Sequence, residues 1–193
     1  PFDNGDLRPT IFEFNDLRTL FPTGRHEIVL ETTAKQTYPV TVSWSAHSTK
    51  PASAADAPIS LSTKLSDKSM TEGRTTRLTV NLANREDRDT GMAVAVIGIP
   101  AGLKLPTDFG QFKALTAKPQ QGEPELSHWE VRGRELVLYW RGLGPKQTVE
   151  LTLDLIAETP GEYRGPASRA YLYYGSESKL WIDPLAIRIQ PRD

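Results

Sequence analysis

Apolar and polar residues alternate along much of the chain with a period of two, which is the pattern of half-buried β-strands. Residues 76–84 and 149–155 show it most clearly, with leucine or valine at every second position. The other strand-like segments are residues 59–65, 136–140, 170–174 and 185–189. Turn residues separate these segments at short intervals, so the chain is predicted to be mainly β, as an antiparallel, immunoglobulin-like β-sandwich.

Residues 91–102 break the alternation with a short and almost continuous apolar run. A run of this length predicts one strand that is covered on both faces, with Val94, Val96 and Ile97 in a hidden layer. Residues 107–117 then place Phe109 and Phe112, together with Leu115 and Thr116, on one helical face. We therefore expect one short helix, which lies on the sheet and supplies the second cover.

The segment around residues 48–57 contains no large apolar residue and separates two patterned regions. It predicts a linker at residues 51–57 and a sandwich domain at residues 58–193. Residues 1–50 contain strand-like segments at 26–33 and 40–44, with a further candidate at 10–14. Because these few strands are too short to bury a core of their own, residues 1–50 are predicted to form a small partial β-domain.

Composition narrows the kinds of partner that we expect. The chain of 193 residues has 23 basic and 24 acidic residues and a formal net charge of -1, which favours neither nucleic acid nor an anionic membrane. No apolar run reaches the length of a membrane span, so direct membrane insertion is not expected. The chain begins at Pro1, which suggests an internal fragment or a processed piece.

Residues that carry out catalysis or bind metals are sparse. There is no cysteine, and the three histidines, His26, His47 and His128, lack a second ligand at metal-like spacing. The acidic clusters at residues 3–6 and 86–89 lack a full set of spaced calcium ligands, and the second is predicted to be a solvated turn between strands. No serine-nucleophile motif or phosphate-binding loop is present. We expect a protein that is not an enzyme and has no metal or cofactor.

Large aromatic residues suggest one alternative, because exposed rings in a row stack on sugars. The candidate rings belong to Trp129, Trp140, Tyr171, Tyr173, Tyr174 and Trp181. Alternation in the tyrosine-rich strand places some of these rings in the core. A stand-alone extracellular adhesion or carbohydrate-binding β-sandwich therefore stays open as a second hypothesis.

The order of these segments resembles the C-terminal receptor-binding domain of the alpha-2-macroglobulin and complement family. The matching parts are the Gly91-Met92-Ala93 strand, the helix at 107–117, the strand pair at 127–131 and 135–140, and the tyrosine-rich strand at 170–174. The resemblance extends over about residues 57–191. The absence of cysteine favours a bacterial member of the family.

The resemblance implies a non-catalytic interaction or structural module at the C-terminus of a larger protein, which acts as a protease trap or inhibitor. It further implies an extracytoplasmic location, secreted, periplasmic or on the cell surface. The partners are then other domains of the parent protein, with a protein receptor or a protease as further candidates. Residues 1–50 resemble the second half of a CUB-type domain, and an orphaned half-domain of this kind predicts a dimer through residues 1–50.

Family members that engage a receptor present lysines on the helix of the sandwich. Lys113 lies in the comparable helix here, and Lys118 follows five residues later. The position four residues after Lys113 is Ala117, so the two lysines do not share a helical face. The resemblance makes Lys113 and Lys118 the candidate partner-binding residues.

Overall fold

A computed structural model describes residues 11–21, 26–29, 31, 39–43, 45, 48–105, 110–111, 116 and 124–192. Contacts divide the chain into two compact units, Pro1–Ser45 and Ala46–Asp193. In the first unit the described residues form one short helix, α1 (Leu17–Leu20). Asp16 caps its first turn, because the backbone N–H of Thr19 donates to the Asp16 carboxylate at 3.4 Å.

The strands predicted for the first unit are not found where the structure describes it. Residues 11–14, 26–29, 31 and 40–43 belong to no strand, and the remainder of the predicted strands lies outside the described residues. Apolar alternation alone does not make a strand, since the backbone also needs a neighbour to pair with. The described apolar side chains of these segments are 58–69% exposed, namely Phe12, Phe14, Ile28, Val29, Val40 and Val42. Leu30 and Trp44, from the same segments, lie outside the described residues.

The second unit contains twelve described strands in three sheets. The strands are β1 (Ile59–Leu65), β2 (Ser69–Thr71), β3 (Thr75–Asn84), β4 (Ala93–Gly98), β5 (Leu103–Lys104), β6 (Leu126–Arg132), β7 (Glu135–Trp140), β8 (Thr148–Ala157), β9 (Gly161–Arg164), β10 (Ser168–Leu172), β11 (Gly175–Ile182) and β12 (Ala186–Gln190). The sheet orders are β1-β3-β8-β5, β11-β10-β4-β7-β6 and β2-β12-β9. All described pairs are antiparallel except β2 with β12. The predicted antiparallel β-sandwich is confirmed.

The main core is built by alternate residues of the four-stranded and five-stranded sheets. Strand β3 contributes Leu78, Val80 and Leu82, and β8 contributes Leu151, Leu153 and Leu155. Strands β4 and β7 provide the opposite layer, which includes the buried Trp140. Because each fully buried side chain of this size contributes about 1.5–3 kcal/mol, the alternating strands carry most of the stability of the sandwich.

Strand β4 is buried on both faces, as its continuous apolar composition predicted. The prediction of one hidden layer is wrong, however, because neighbouring residues of a strand point to opposite faces. Ile97 belongs to the main core, whereas Val94 and Val96 form a second cluster with Val137. The side chains described as packing on this second cluster are Tyr139 and Tyr171, which come from the adjacent strands.

The predicted helix at 107–117 lies mostly outside the described residues. Gly110 and Gln111 are helical. The Gln111 side chain accepts a hydrogen bond from Asp154 N at 2.6 Å and donates one to Asp154 O at 3.2 Å. The Gln111 side chain therefore contacts β8 of the four-stranded sheet, the strand that also pairs with β5.

The segment predicted as a linker, residues 51–57, is hydrogen-bonded along β11. The Ser53 hydroxyl accepts from Trp181 N at 2.8 Å and donates to Trp181 O at 3.1 Å. Ala54 N donates to Lys179 O at 2.9 Å, and Lys50 pairs with Asp183 at 2.9 Å. Since β11 is the last strand of its sheet, this segment covers an edge that would otherwise present unpaired backbone groups.

Candidate interaction surface

The face of the five-stranded sheet that points away from the main core has an apolar centre. Its members are Val94, Val96, Val137, Tyr139 and Tyr171, which we call the outer-face cluster. Strand register brings them together, because Val94 is opposite both Tyr139 and Tyr171, and Val96 is opposite Val137. Cross-strand pairs of β-branched and aromatic side chains stabilise a sheet face of this kind.

A partly buried ion pair lies beside the outer-face cluster. Arg169 donates two hydrogen bonds to Glu135, from Nη1 to Oε1 at 2.6 Å and from Nη2 to Oε2 at 3.2 Å. The two side chains are only 22% and 26% exposed. The same guanidinium lies 5.1 Å from the centre of the Trp181 ring. The bidentate geometry and the stacked ring hold Arg169 in one orientation.

A second polar group lies at the β6–β7 side of the same face. Tyr139 donates a hydrogen bond from its hydroxyl to Glu130 at 2.6 Å, and Arg132 pairs with the same carboxylate at 2.6 Å. These two partners, Tyr139 first, lower the pKa of Glu130. Burial, together with the bond to Glu130, raises the pKa of Tyr139 to about 12. The apolar centre is thus bordered by oriented charges on two sides.

The raised pKa of Tyr139 predicts a change of stability at alkaline pH. The phenol stabilises the fold fully below about pH 10, where unfolded tyrosine begins to ionise, and this contribution is lost as the pH rises towards about 12. Absorbance titration of the phenolates should contain a late component near pH 12 that Tyr139→Phe removes. The same variant should lose less stability between pH 10 and 12 than the wild type. Identical titration curves for the two proteins would contradict the assignment.

Lys113 and Lys118, the candidate partner-binding residues from the sequence, lie outside the described residues, as do His47 and the acidic cluster at 3–6. The His128 ring lies 5.7 Å from the Tyr139 ring. Within the described part of the chain, no group of three histidine or carboxylate side chains is placed to hold a metal ion. The acidic loop at 86–89 forms ion pairs, with Arg88 to Glu86 at 2.7 Å and Lys146 to Asp87 at 3.3 Å.

The aromatic residues considered for sugar binding are distributed over different parts of the sandwich. Trp140 is 1% exposed in the main core, and Trp129 packs against that core. Tyr173 and Tyr174 lie at the β10–β11 turn with their ring centres 5.1 Å apart. Tyr171 belongs to the outer-face cluster and is contacted by Lys179, whereas Trp181 borders that face and is contacted by Arg169. The described rings therefore do not form a row of stacking platforms.

Sequence reasoning missed the polar residues of the outer face, Glu130, Glu135 and Arg169. The available signal was alternation, since Glu135 and Tyr139 flank Val137 at every second position of one strand. Strand β10 shows the same alternation, with Arg169 and Tyr171 two positions apart on one face.

None of the helices in the described residues has the length and apolar composition needed to span a bilayer.

Comparisons with known proteins agree with this architecture. A family model described as the bacterial alpha-2-macroglobulin MG10 domain matches residues 38–177. Trypsin-activated alpha-2-macroglobulin from Escherichia coli is similar with a TM-score of 0.57 and 17% identity, over 72% of this chain and 11% of that chain. Salmonella alpha-2-macroglobulin reacted with methylamine gives a TM-score of 0.55 and 19% identity, over 73% of this chain and 10% of that chain.

A native Escherichia coli fragment that runs from domain MG7 to the C-terminus is also similar. Its TM-score is 0.54 at 17% identity, over 73% of this chain and 25% of the fragment. No curated protein sequence matches the chain. The chain thus spans about a tenth of the longer macroglobulin chains that it resembles. Because the family model matches residues 38–177, which is most of the chain, and the strands follow the same fold, the chain belongs to the bacterial alpha-2-macroglobulin family as an MG10 domain.

Proposed function

We propose that this chain is a non-catalytic interaction module of an extracytoplasmic alpha-macroglobulin, and that its outer face docks on another domain of the same parent protein. As an MG10 domain the chain is a structural module of such a protein. In the similar macroglobulins the matching region is a small part of a much longer polypeptide, which supports a role within an assembly of domains.

The observation that carries this proposal is the composition of the outer face. Protein interfaces combine an apolar, aromatic centre with a polar rim, and tyrosine, tryptophan and arginine contribute most of the binding energy. Tyr139 and Tyr171, which are partly exposed beside the buried valines of the outer-face cluster, provide such a centre, and Arg169, Trp181 and Glu135 provide part of such a rim. Because Arg169 is already oriented by Glu135 and Trp181, little side-chain freedom is lost when a partner binds.

The proposed role of the parent protein is to trap proteases. Two Escherichia coli relatives are described as activated by trypsin and by porcine elastase, which supports a response to proteolysis in this family. A protease or a receptor is then a further candidate partner, for which Lys113 and Lys118 remain the candidate contacts. Residues 1–50 remain the candidate second half of a CUB-like domain and the candidate dimer contact.

The test uses the full parent polypeptide, treated with trypsin and followed by native gel mobility and by protection of the bound protease from a protein inhibitor. We expect wild type to change mobility and to shelter the protease. We expect Arg169→Ala combined with Trp181→Ala to alter the mobility of the untreated protein. The matched control is Arg77→Ala, because Arg77 pairs with Asp154 in the same bidentate manner, at 2.9 and 3.3 Å, on the four-stranded sheet.

Two results would overturn the proposal. If the double variant migrates and responds to trypsin like Arg77→Ala, the outer face is not a docking surface. If wild type neither changes mobility nor shelters the protease, the parent is not a protease trap. Thermal melting of each variant of the isolated chain is measured alongside these experiments, and it distinguishes a loss of docking from a loss of folding.

A further inference from the structure

A groove lies between β1 and the small three-stranded sheet. It has a volume of about 760 Å³ and is lined by the end of β1, the start of β12 and strand β9. This size is within the range of grooves that hold a ligand. Two strand edges form part of its walls, and these edges determine what the groove is able to bind.

The first edge is that of β1, which is the terminal strand of its sheet. Ser66 N donates to Arg77 O, and Arg85 N donates to Pro58 O, so the even-numbered residues of this strand bond to β3. Since bonding directions alternate along an antiparallel strand, the backbone groups of Thr63 and Leu65 point away from β3. Both residues line the groove.

The second edge is the beginning of β12. Gly165 N donates to Leu185 O on one side, and Arg188 N donates to Lys68 O on the other, where β2 lies. The backbone N–H and C=O of Ala186 point in the same direction as those of Arg188, because the two residues are two positions apart on the strand. Pairing with β2 begins only at Arg188, so no described strand pairs with Ala186 on this side. The groove therefore separates two strand edges that are unpaired within the described residues.

The charge of the groove is strongly positive. Four cations, those of Lys64, Lys68, Arg164 and Arg188, line it together with one carboxylate, that of Glu162. Arg188 pairs with Glu162. The other three cations form no ion pair with any described residue, although the whole chain has a net charge of -1. A concentration of unpaired cations attracts an acidic ligand.

We propose that this groove binds an extended acidic segment of a partner protein by strand addition. The segment supplies backbone hydrogen bonds to the β1 edge, to the Ala186 edge of β12, or to both. Main-chain bonds give affinity in this mode of recognition, and alternate side chains give specificity. Lys64 and Arg188 are exposed on the solvent side of their strands, so the residues on that side of the segment meet these two cations. The intervening residues face the buried Leu65 and Ile187.

The test is fluorescence anisotropy on the purified chain of 193 residues with a labelled peptide in which glutamate and valine alternate. We expect saturable binding that weakens as salt rises, and at least tenfold weaker binding of a lysine and valine peptide. Peptides N-methylated at alternate residues, in each of the two registers, test the backbone. We expect at least one register to lose binding tenfold or more, because the methyl group removes the donor at the strand edge.

Substitutions locate the site without altering the core. We expect Lys64→Glu combined with Lys68→Glu to weaken binding about tenfold at low salt, and Glu162→Gln to strengthen it, since it removes the one opposing charge. The control Arg132→Glu alters an exposed cation of the β6–β7 hairpin and should leave binding unchanged.

Three results would overturn the proposal. The first is equal binding of both N-methylated registers and the parent peptide, which excludes backbone pairing. The second is equal binding by wild type and the Lys64→Glu and Lys68→Glu double variant. The third is self-association of the chain, seen by light scattering, when no peptide binds. That result would make a second copy of the chain the occupant of the groove. The outer-face variants Arg169→Ala and Trp181→Ala should not affect any of these results, so failure here leaves the proposed function untouched.

Discussion

Replacing Trp140 by alanine is expected to lower the free energy of unfolding by about 3–5 kcal/mol, as for other buried tryptophans. Trp140 is 1% exposed and lies in the main core of the sandwich. The truncation removes a large apolar surface and leaves a cavity that the rigid sheets on either side cannot fill. Chemical denaturation followed by circular dichroism measures the loss.

The matched control is Trp181→Ala, in which the same atoms are removed from a partly exposed ring that contacts Arg169. We expect it to cost about 1 kcal/mol, since only part of the ring is buried and one cation–π contact is lost. Equal losses for the two variants would show that Trp140 does not lie in the core. The contrast also decides between the packing role of Trp140 and its role in sugar binding.

Replacing Gly98 by alanine is expected to destabilise the chain by about 3 kcal/mol or to prevent folding, because overpacking next to a backbone cannot be relieved by a change of rotamer. A Cβ at this position would overlap the carbonyl oxygen of Pro166. The Gly98 N–H also donates to the buried Ser168 hydroxyl at 3.0 Å. Any shift of β4 to make room would break that bond. Soluble yield and thermal melting measure the effect.

Gly91→Ala is the control for this substitution, since Gly91 lies in the same apolar segment, residues 91–102. A Cβ at Gly91 would meet no atom within 4 Å. We expect its melting temperature to stay within a few degrees of wild type. Should Gly98→Ala melt like Gly91→Ala, then β4 does not approach the segment before β10 as closely as the structure shows.

Strands with a strong local pattern could be predicted from the sequence. Strands β3 and β8 alternate over ten residues each, and both occur where alternation placed them. The apolar composition of β4 likewise indicated burial on both faces. Strands β2, β5 and β9 have two to four residues each and show no recognisable period. Their pairing with β12 and β8 depends on distant parts of the chain, which a local pattern does not reveal.

The candidate surface was harder to predict because register determines it. Arg169 and Glu135 are 34 residues apart, and their contact requires β10, β4 and β7 to align with their outward residues in one row. The same difficulty applies to Trp140 and Trp181. Residue type does not distinguish the two tryptophans, although Trp140 is buried and Trp181 borders the outer face. The helix contact through Gln111 also depends on an edge of β8 that no pattern identifies.

Hydroxyl-radical footprinting of Trp181 and Tyr171, in the isolated chain and in the full parent protein, tests the docking of the outer face most directly. We expect both rings to be oxidised in the isolated chain and protected in the parent, whereas the exposed Val131 side chain on the β6–β7 hairpin reacts in the isolated chain and serves as its internal reference. Equal oxidation of Trp181 and Tyr171 in the two proteins would contradict docking of the outer face.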